Sequence, residues 1–450
     1  MADYAAGLAK LGVSIPEVFL PAEGVDLAKW AVVACDQYSS EREYWERAKA
    51  LVGGAPSSLN LIFPECYLED ADKAARVGRI QAMMKDYLAR GVVRNTGAGF
   101  ILVERRTPYE KEPRVGLMMA VDLEAYRYGK DSKSLIRPTE GTIVERLPPR
   151  MEIRRGAPLE LPHIMLLIDD PERTVIEPLY SARERLPKAY DFELMLGSGH
   201  VRGWKVADAA HIGQVESAIA GLADPDAFEK KYGNRDVLLF AVGDGNHSLA
   251  TAKAIWEETK KAFPAGDPRL AVHPARFALV ELVNIYDEGL PFHPIHRVLF
   301  NVDEKAFFDG LGAYAEHRIL RFRGGAEAFA IVDDSSPNDG AHRIAFLSSK
   351  GAGVIEFAKP RANLAAGTVQ EYLDPFLKAH PGVGIDYIHG GESLAALSVK
   401  PGNLGLYLPP VDKGSFFGTV IRDGVMPRKT FSMGEAPEKR FYIEARKIIG

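Results

Sequence analysis

Gly243-Asp244-Gly245-Asn246-His247-Ser248 places two glycines, a carboxylate, an amide, an imidazole and a hydroxyl in consecutive positions. The chemistry such a group offers is anion binding. Glycines let the backbone approach a ligand and take positive φ, while the free N–H groups and dipole at the start of a following helix favour a phosphate. Asp244 adds a candidate metal ligand, His247 a titratable ring, and Asn246 and Ser248 further hydrogen-bonding groups. A tight turn with Asn246 as N-cap needs no ligand. The residues alone leave both readings open.

The elements that must position this turn are legible on either side. Residues 236–242 form a short, continuously apolar run that reads as a strand buried on both faces, and 249–263 reads as a helix. The same alternation recurs upstream. A strand is expected at 30–35, a helix at 41–51 opened by a capping box of Ser40 and Glu43, and a second helix at 71–90. Paired strands at 100–104 and 115–122, a strand at 164–168, a helix at 206–223 and a strand at 275–284 follow, with 298–301 ending that last pairing. This predicts a mixed α/β fold. After Val302 the composition shifts to a helix at 304–316, a strand at 318–322, a hairpin of 342–348 with 353–357, and a helix at 369–378, with a loop at 333–340. The expected division is a main α/β domain at 1–302 and a smaller α+β unit at 303–450.

A formal charge of −5 and a pI near 6.2 provide no global basic field for nucleic acid. Two cysteines, Cys35 and Cys66, lack metal-ligand spacing, and so few thiols suit a reducing cytoplasm. The first residues carry no basic cluster followed by an apolar core, and no apolar run is long enough for a membrane span, so neither export nor membrane insertion is expected.

Other segments hold polar density. Arg137-Pro138-Thr139-Glu140-Gly141-Thr142, with Arg146 and Arg150 close behind, is expected to stay out of regular structure and to present Glu140 on a loop, either toward a site or as a solvated turn. Pro294-Ile295-His296-Arg297 offers an imidazole and a guanidinium suited to phosphate, while Pro294 opposes a helix that would bring His293 and His296 onto one metal. Arg428, Lys429 and Thr430, between Gly424 and Gly434, fit an anion clamp or a solvated basic loop but lack P-loop spacing. Gly197 to Gly203 has the glycine density of a dinucleotide fingerprint with the wrong spacing, which favours a hairpin. The His-Glu-x-x-His, Cys-x-x-Cys and Gly-x-Ser-x-Gly signatures are absent.

Three ordered motifs make nearly the whole chain resemble domain-of-unknown-function family 1015. The family's Asp-Gly-His-His-Arg turn appears as Asp244-Gly245-Asn246-His247-Ser248, its Pro-Thr-His-Arg segment as Pro294-Ile295-His296-Arg297, and its closing Met-Pro-x-Lys as Met426-Pro427-Arg428-Lys429. Thr139-Glu140-Gly141-Thr142 resembles a His-Glu-x-x-Thr element, and Tyr387-Ile388-His389 another. Asn246, Ser248 and Thr139 depart from the family's usual His, Arg and His, which marks a divergent branch. The Asp-Gly-x-His turn is also similar to the nucleotide-binding turn of the ParB and sulfiredoxin superfamily, which implies a ParB/sulfiredoxin-like core.

These resemblances imply an ATP-dependent phosphotransferase acting on a small hydroxyl-bearing metabolite such as a free amino acid, with ATP and Mg²⁺ as cofactors. The backbone of Gly243 and Gly245 would hold phosphate, Asp244 would bind Mg²⁺, and Asn246, His247 and Ser248 would contact the nucleotide. Arg150, His296, Arg297, Arg428, Lys429 and Thr430 complete the implied phosphate-binding set, and Glu140 would accept the substrate's proton. A non-catalytic nucleotide or metabolite sensor is the alternative, and a ParB-like, nucleic-acid-associated nucleotide binder a third. The implied partners are a nucleotide and a small molecule; homo-oligomerisation stays open.

Overall fold

The computed structural model describes residues 2–129, 131–335 and 340–449. The chain forms two compact units, one of Met1–Leu290 with Glu435–Gly450 and one of Pro291–Gly434.

The first unit is built on a mixed sheet whose centre is Phe100–Arg106, Arg114–Asp122 and Phe277–Asn284, each antiparallel to the next. Arg114–Asp122 is buried along its whole length. Both of its faces are therefore covered, which is why the sequence there is an almost unbroken apolar run. Met165–Ile168 continues the sheet, parallel to Phe277–Asn284 and antiparallel to Phe240–Asp244. Ile136–Pro138 closes that edge, parallel to the start of Phe240–Asp244. On the opposite edge Lys188–Glu193 and His200–Val206 form the hairpin that the Gly197–Gly203 glycines imply.

The mixed α/β expectation is met, although most of the pairings are antiparallel. Several boundaries move for identifiable reasons. The expected strand at 236–242 narrows to Phe240–Asp244, because the Arg137 guanidinium donates to the carbonyls of Asp236 and Val237 and so occupies groups a ladder would use. Arg137 and Pro138, expected in a loop, lie in an edge strand, where a proline's missing N–H costs least. At 30–35 a helical turn, Leu27–Trp30, comes first, its N-terminus capped by Asp26, and only Val32–Val33 is strand. The Ser40–Glu43 capping box does not form; the helix is Arg42–Val52, following Glu41. Val206 ends a strand rather than starting a helix, which begins at Ala209 behind the Asp208 cap.

The second unit is an antiparallel sheet in the order Arg318–Phe322, Gly351–Phe357, His342–Ser348, Leu404–Tyr407, His293–Phe300 and Gly384–His389. Helices Glu304–Tyr314 and Ala365–Ala379 cover its apolar core, which includes Phe307, Phe346 and Leu373. Residues 298–301 were expected to end the pairing of the 275–284 strand. Instead they belong, up to Phe300, to a strand of this second sheet. Helix Gly325–Asp333 runs into the expected 333–340 loop, of which 336–339 lie outside the described residues.

The returning segment 435–450 is fastened to the first unit by charge. Arg440 Nη1 lies 2.6 Å from Glu281 Oε2, both side chains almost fully buried, and Arg440 also binds Glu444. Arg446 Nε lies 2.7 Å from Glu160 Oε1, again buried. A buried carboxylate stripped of its partner is strongly unfavourable. Replacing Arg440 with Ala is therefore expected to lower unfolding free energy by about 3–5 kcal/mol, read from the midpoint and slope of urea denaturation.

Candidate functional site

The turn that ends Phe240–Asp244 and begins helix Asn246–Lys260 is set by Gly245, which holds φ 76° in the left-handed region and occupies the N-cap position. A Cβ there would come within 3.0 Å of the Ile164 Cα, so both conformation and space select glycine. Asn246 is thus the first residue of the helix and not its cap. Its side chain instead ties down the neighbouring loop: Asn246 Oδ1 accepts from the Thr139 N–H at 3.3 Å, and Asn246 Nδ2 donates to the Val242 carbonyl at 3.4 Å. Thr139 Oγ1 donates to the same carbonyl at 2.6 Å. The first intrahelical bond runs from Leu249 N to Gly245 O, leaving the amides of Asn246, His247 and Ser248 ahead of the helical ladder.

Around this helix start the first unit gathers polar side chains from distant parts of the chain. Asp244 Oδ1 accepts from the Gly245 N–H at 2.9 Å, and Asp244 Oδ2 lies 3.2 Å from Lys439 Nζ. Burial pushes the Asp244 carboxyl up, but the Lys439 ammonium and then His163 outweigh it and hold the group below its ordinary value. His163 was not among the residues singled out from sequence, since a lone histidine outside any motif gave no signal. Its Nδ1 lies 2.8 Å from the Tyr442 hydroxyl, and its Nε2 2.9 Å from Ser248 Oγ and 3.6 Å from Asp36 Oδ2. The Tyr442 oxygen accepts the Cys35 N–H at 3.0 Å.

His247 lies beside this group with its Nε2 buried and without a hydrogen-bond partner. Burial, then the Arg150 and Arg146 cations, lower its pKa against the opposing pull of Asp36, so the ring is neutral at pH 7. Arg150 is paired with Glu65 at 2.5 Å and donates to the Arg146 carbonyl at 2.8 Å. Directly beneath the first helical turns is a cavity of about 140 Å³, lined by Ser248 and Thr251 of the helix, by His163, Arg150, Cys35 and Tyr442, and by aliphatic side chains. Arg150, Ser248 and the unforeseen His163 thus border one space. Glu140 lies exposed on the loop that Thr139 anchors.

The remaining residues singled out from sequence belong to the second unit and are committed to its own packing. His296 Nδ1 accepts the Leu408 N–H at 3.1 Å, the ring stacks on Tyr407, and burial lowers its pKa to about 4. Arg297 is fully buried, donates to the Ile295 and Arg428 carbonyls and lies over the Tyr387 ring. Arg428 pairs with Asp374, Thr430 Oγ1 donates to Pro427 O at 2.5 Å, and Lys429 is exposed at φ 55°. Among the described residues no three His, Cys, Asp or Glu side chains gather as a metal-ion site, and no helix is long and apolar enough to cross a membrane.

A family model described as "Protein of unknown function (DUF1015)" matches residues 19–376. No curated protein matches. Among solved structures, a conserved hypothetical protein from Pyrococcus furiosus is similar at 12% identity and TM-score 0.34, over 72% of this chain and 90% of that one. A free serine kinase in complex with AMP is similar at 10% identity and TM-score 0.37, over 74% of this chain and 92% of that one. A mutant of that kinase in complex with ADP gives 9% identity, TM-score 0.37 and the same coverage.

Two outcomes test this geometry. Gly245→Ala should destabilise the protein by about 1–2 kcal/mol through its left-handed φ alone, measured by thermal or urea unfolding. Because Lys439 depresses the folded Asp244 pKa, the stability Asp244 contributes is complete above its ordinary value of 3.8 and is lost as pH falls through the lower folded value. Lys439→Met should remove that protection, so the variant loses stability relative to the parent at neutral pH and the difference shrinks in acid.

Proposed function

The chain belongs to the DUF1015 family, and we propose that its first unit binds the phosphates of a nucleotide at the Gly243–Ser248 turn and transfers one to a small hydroxyl-bearing metabolite. The observation that carries this reading is the helix start behind Gly245. Three backbone amides there precede the helical ladder, and they adjoin a neutral His247 whose buried Nε2 has no hydrogen-bond partner and which feels the Arg150 and Arg146 cations. Donors and positive charge meet at one spot, which suits a phosphate. The similarity of the turn to the ParB and sulfiredoxin nucleotide turn points the same way.

In this reading ATP is the phosphate donor. The amides of Asn246, His247 and Ser248 and the His247 ring hold its phosphates, with Gly243 and Gly245 letting them approach. Mg²⁺ would be held by Asp244 together with phosphate oxygens and water, since one carboxylate is all the turn supplies and Mg²⁺ sites of this kind lean on the nucleotide. That carboxylate must then share itself with Lys439, whose ammonium adds positive charge beside the phosphates. Transfer joins the acceptor's hydroxyl oxygen to the γ-phosphorus as the bond from that phosphorus to the β,γ-bridging oxygen breaks. ADP leaves, and the hydroxyl proton passes to a base bordering the acceptor.

The engagement of Asp244 with Lys439 also favours a second reading, a sensor that binds nucleotide without turnover. Calorimetry with ATP, ADP and CTP, with and without Mg²⁺, separates the outcomes. Binding below millimolar concentration is expected, and His247→Ala should weaken it about tenfold, or ~1.4 kcal/mol, without moving the unfolding midpoint. No heat at millimolar nucleotide would sink both readings. Binding without ADP formation across a panel of hydroxyl compounds would leave the sensor.

A further inference from the structure

The cavity under the helix start has a composition that selects among acceptors. One end is polar, where Ser248 Oγ and His163 Nε2 lie 2.9 Å apart. Aliphatic side chains, among them Leu61, Ile62, Met84, Ile153, Leu161 and Ile164, supply much of the remaining wall, and Thr251, Tyr442, Arg150 and Arg154 also border it. Two carboxylates also face the space, and each already has its cation: Glu65 is bound by Arg150 at 2.5 Å, and Glu160 by Arg154 and by Arg446. Glu160 further accepts the Leu279 N–H at 2.9 Å. Both carboxylates on the wall are thus paired, Glu160 with two guanidiniums.

We propose that the acceptor bound here is a neutral alcohol with a compact apolar body, its hydroxyl at the Ser248–His163 end and its carbon skeleton against the aliphatic wall. A free amino acid fits poorly, because its ammonium and carboxylate would have to break the Glu65–Arg150 and Glu160–Arg154 pairs to be satisfied, and a buried charge left unpaired is costly. A polyol fits poorly too, since its extra hydroxyls would lose water against aliphatic carbon without new partners. The size follows from the volume. A cavity of about 140 Å³ matches the apolar cavities of roughly 150 Å³ that hold a benzene-sized molecule.

This inference rests on the phosphotransferase reading for its chemistry, but the binding it requires does not depend on nucleotide. Saturation-transfer NMR titrations of the full chain with cyclohexanol, glycerol and L-serine, all without nucleotide, test it separately from the ATP calorimetry. Cyclohexanol is expected to give a saturable signal at a dissociation constant at least about tenfold below those of glycerol and serine. Leu161→Trp, which fills the aliphatic end, should weaken cyclohexanol about tenfold and leave the ATP titration unchanged. Serine binding as tightly as cyclohexanol, or no saturable cyclohexanol signal, overturns the proposal. Undiminished cyclohexanol binding in Leu161→Trp overturns it as well, since the alcohol would then sit elsewhere; should that variant not fold, the ranking in the parent protein decides alone. ATP failing to bind while cyclohexanol does would overturn the nucleotide reading and leave the pocket assignment standing.

Discussion

The buried pair of Glu281 and Arg440 is the constraint on which the first unit's site depends. Glu281 projects from a central strand into an interior so close that a Cβ on Gly116 would lie 2.4 Å from its Oε1. A carboxylate in that position is tolerable only with its cation in place, and Arg440 supplies it from the returning segment. Once Arg440 is pinned, its neighbours in sequence have little choice. Lys439 comes to Asp244, and Tyr442 to His163, so one ion pair in the core places two of the groups around the Gly243–Ser248 turn.

Residues that belong to separate segments of the sequence are connected to one another in space around the turn. Thr139 and Asn246 both donate side-chain hydrogen bonds to the Val242 carbonyl, and Asn246 also accepts the Thr139 amide. Two residues that look independent in sequence thus form one joint that fixes the Glu140 loop to the turn. Ser248 reaches His163. A short hydroxyl leaves the space beneath the helix start open, where a guanidinium would extend across it. Of these three residues, Ser248 is the one that borders the cavity.

Local signals in the sequence were enough to find the strand, turn and helix around Gly245, because an apolar run, two glycines and a helical pattern are all short-range features. The hairpin 342–348 with 351–357 was legible for the same reason. What failed was governed by partners far away in sequence. The narrowing of the 236–242 strand depends on Arg137, about a hundred residues upstream, and the engagement of the Asn246 side chain depends on Thr139. His163, Asp36 and Lys439 sit outside any motif, and only tertiary structure brings them to the turn. Likewise, 298–301 reads from sequence as the end of the 275–284 pairing, and only the partners at 384–389 and 404–407 place it, up to Phe300, in the other sheet.

The return of 435–450 to the first unit also sets an order of events during synthesis. Domains generally fold as they emerge, N-terminal first. Here the second unit, 291–434, leaves the ribosome before the strap that the first unit needs. Until then Glu281 and Glu160 lack Arg440 and Arg446, Asp244 lacks Lys439 and His163 lacks Tyr442. The first unit is thus the one completed later, and the surroundings of its Gly243–Ser248 turn mature only after the second unit has been made. A nascent chain therefore carries an unfinished site throughout the time the second unit takes to appear.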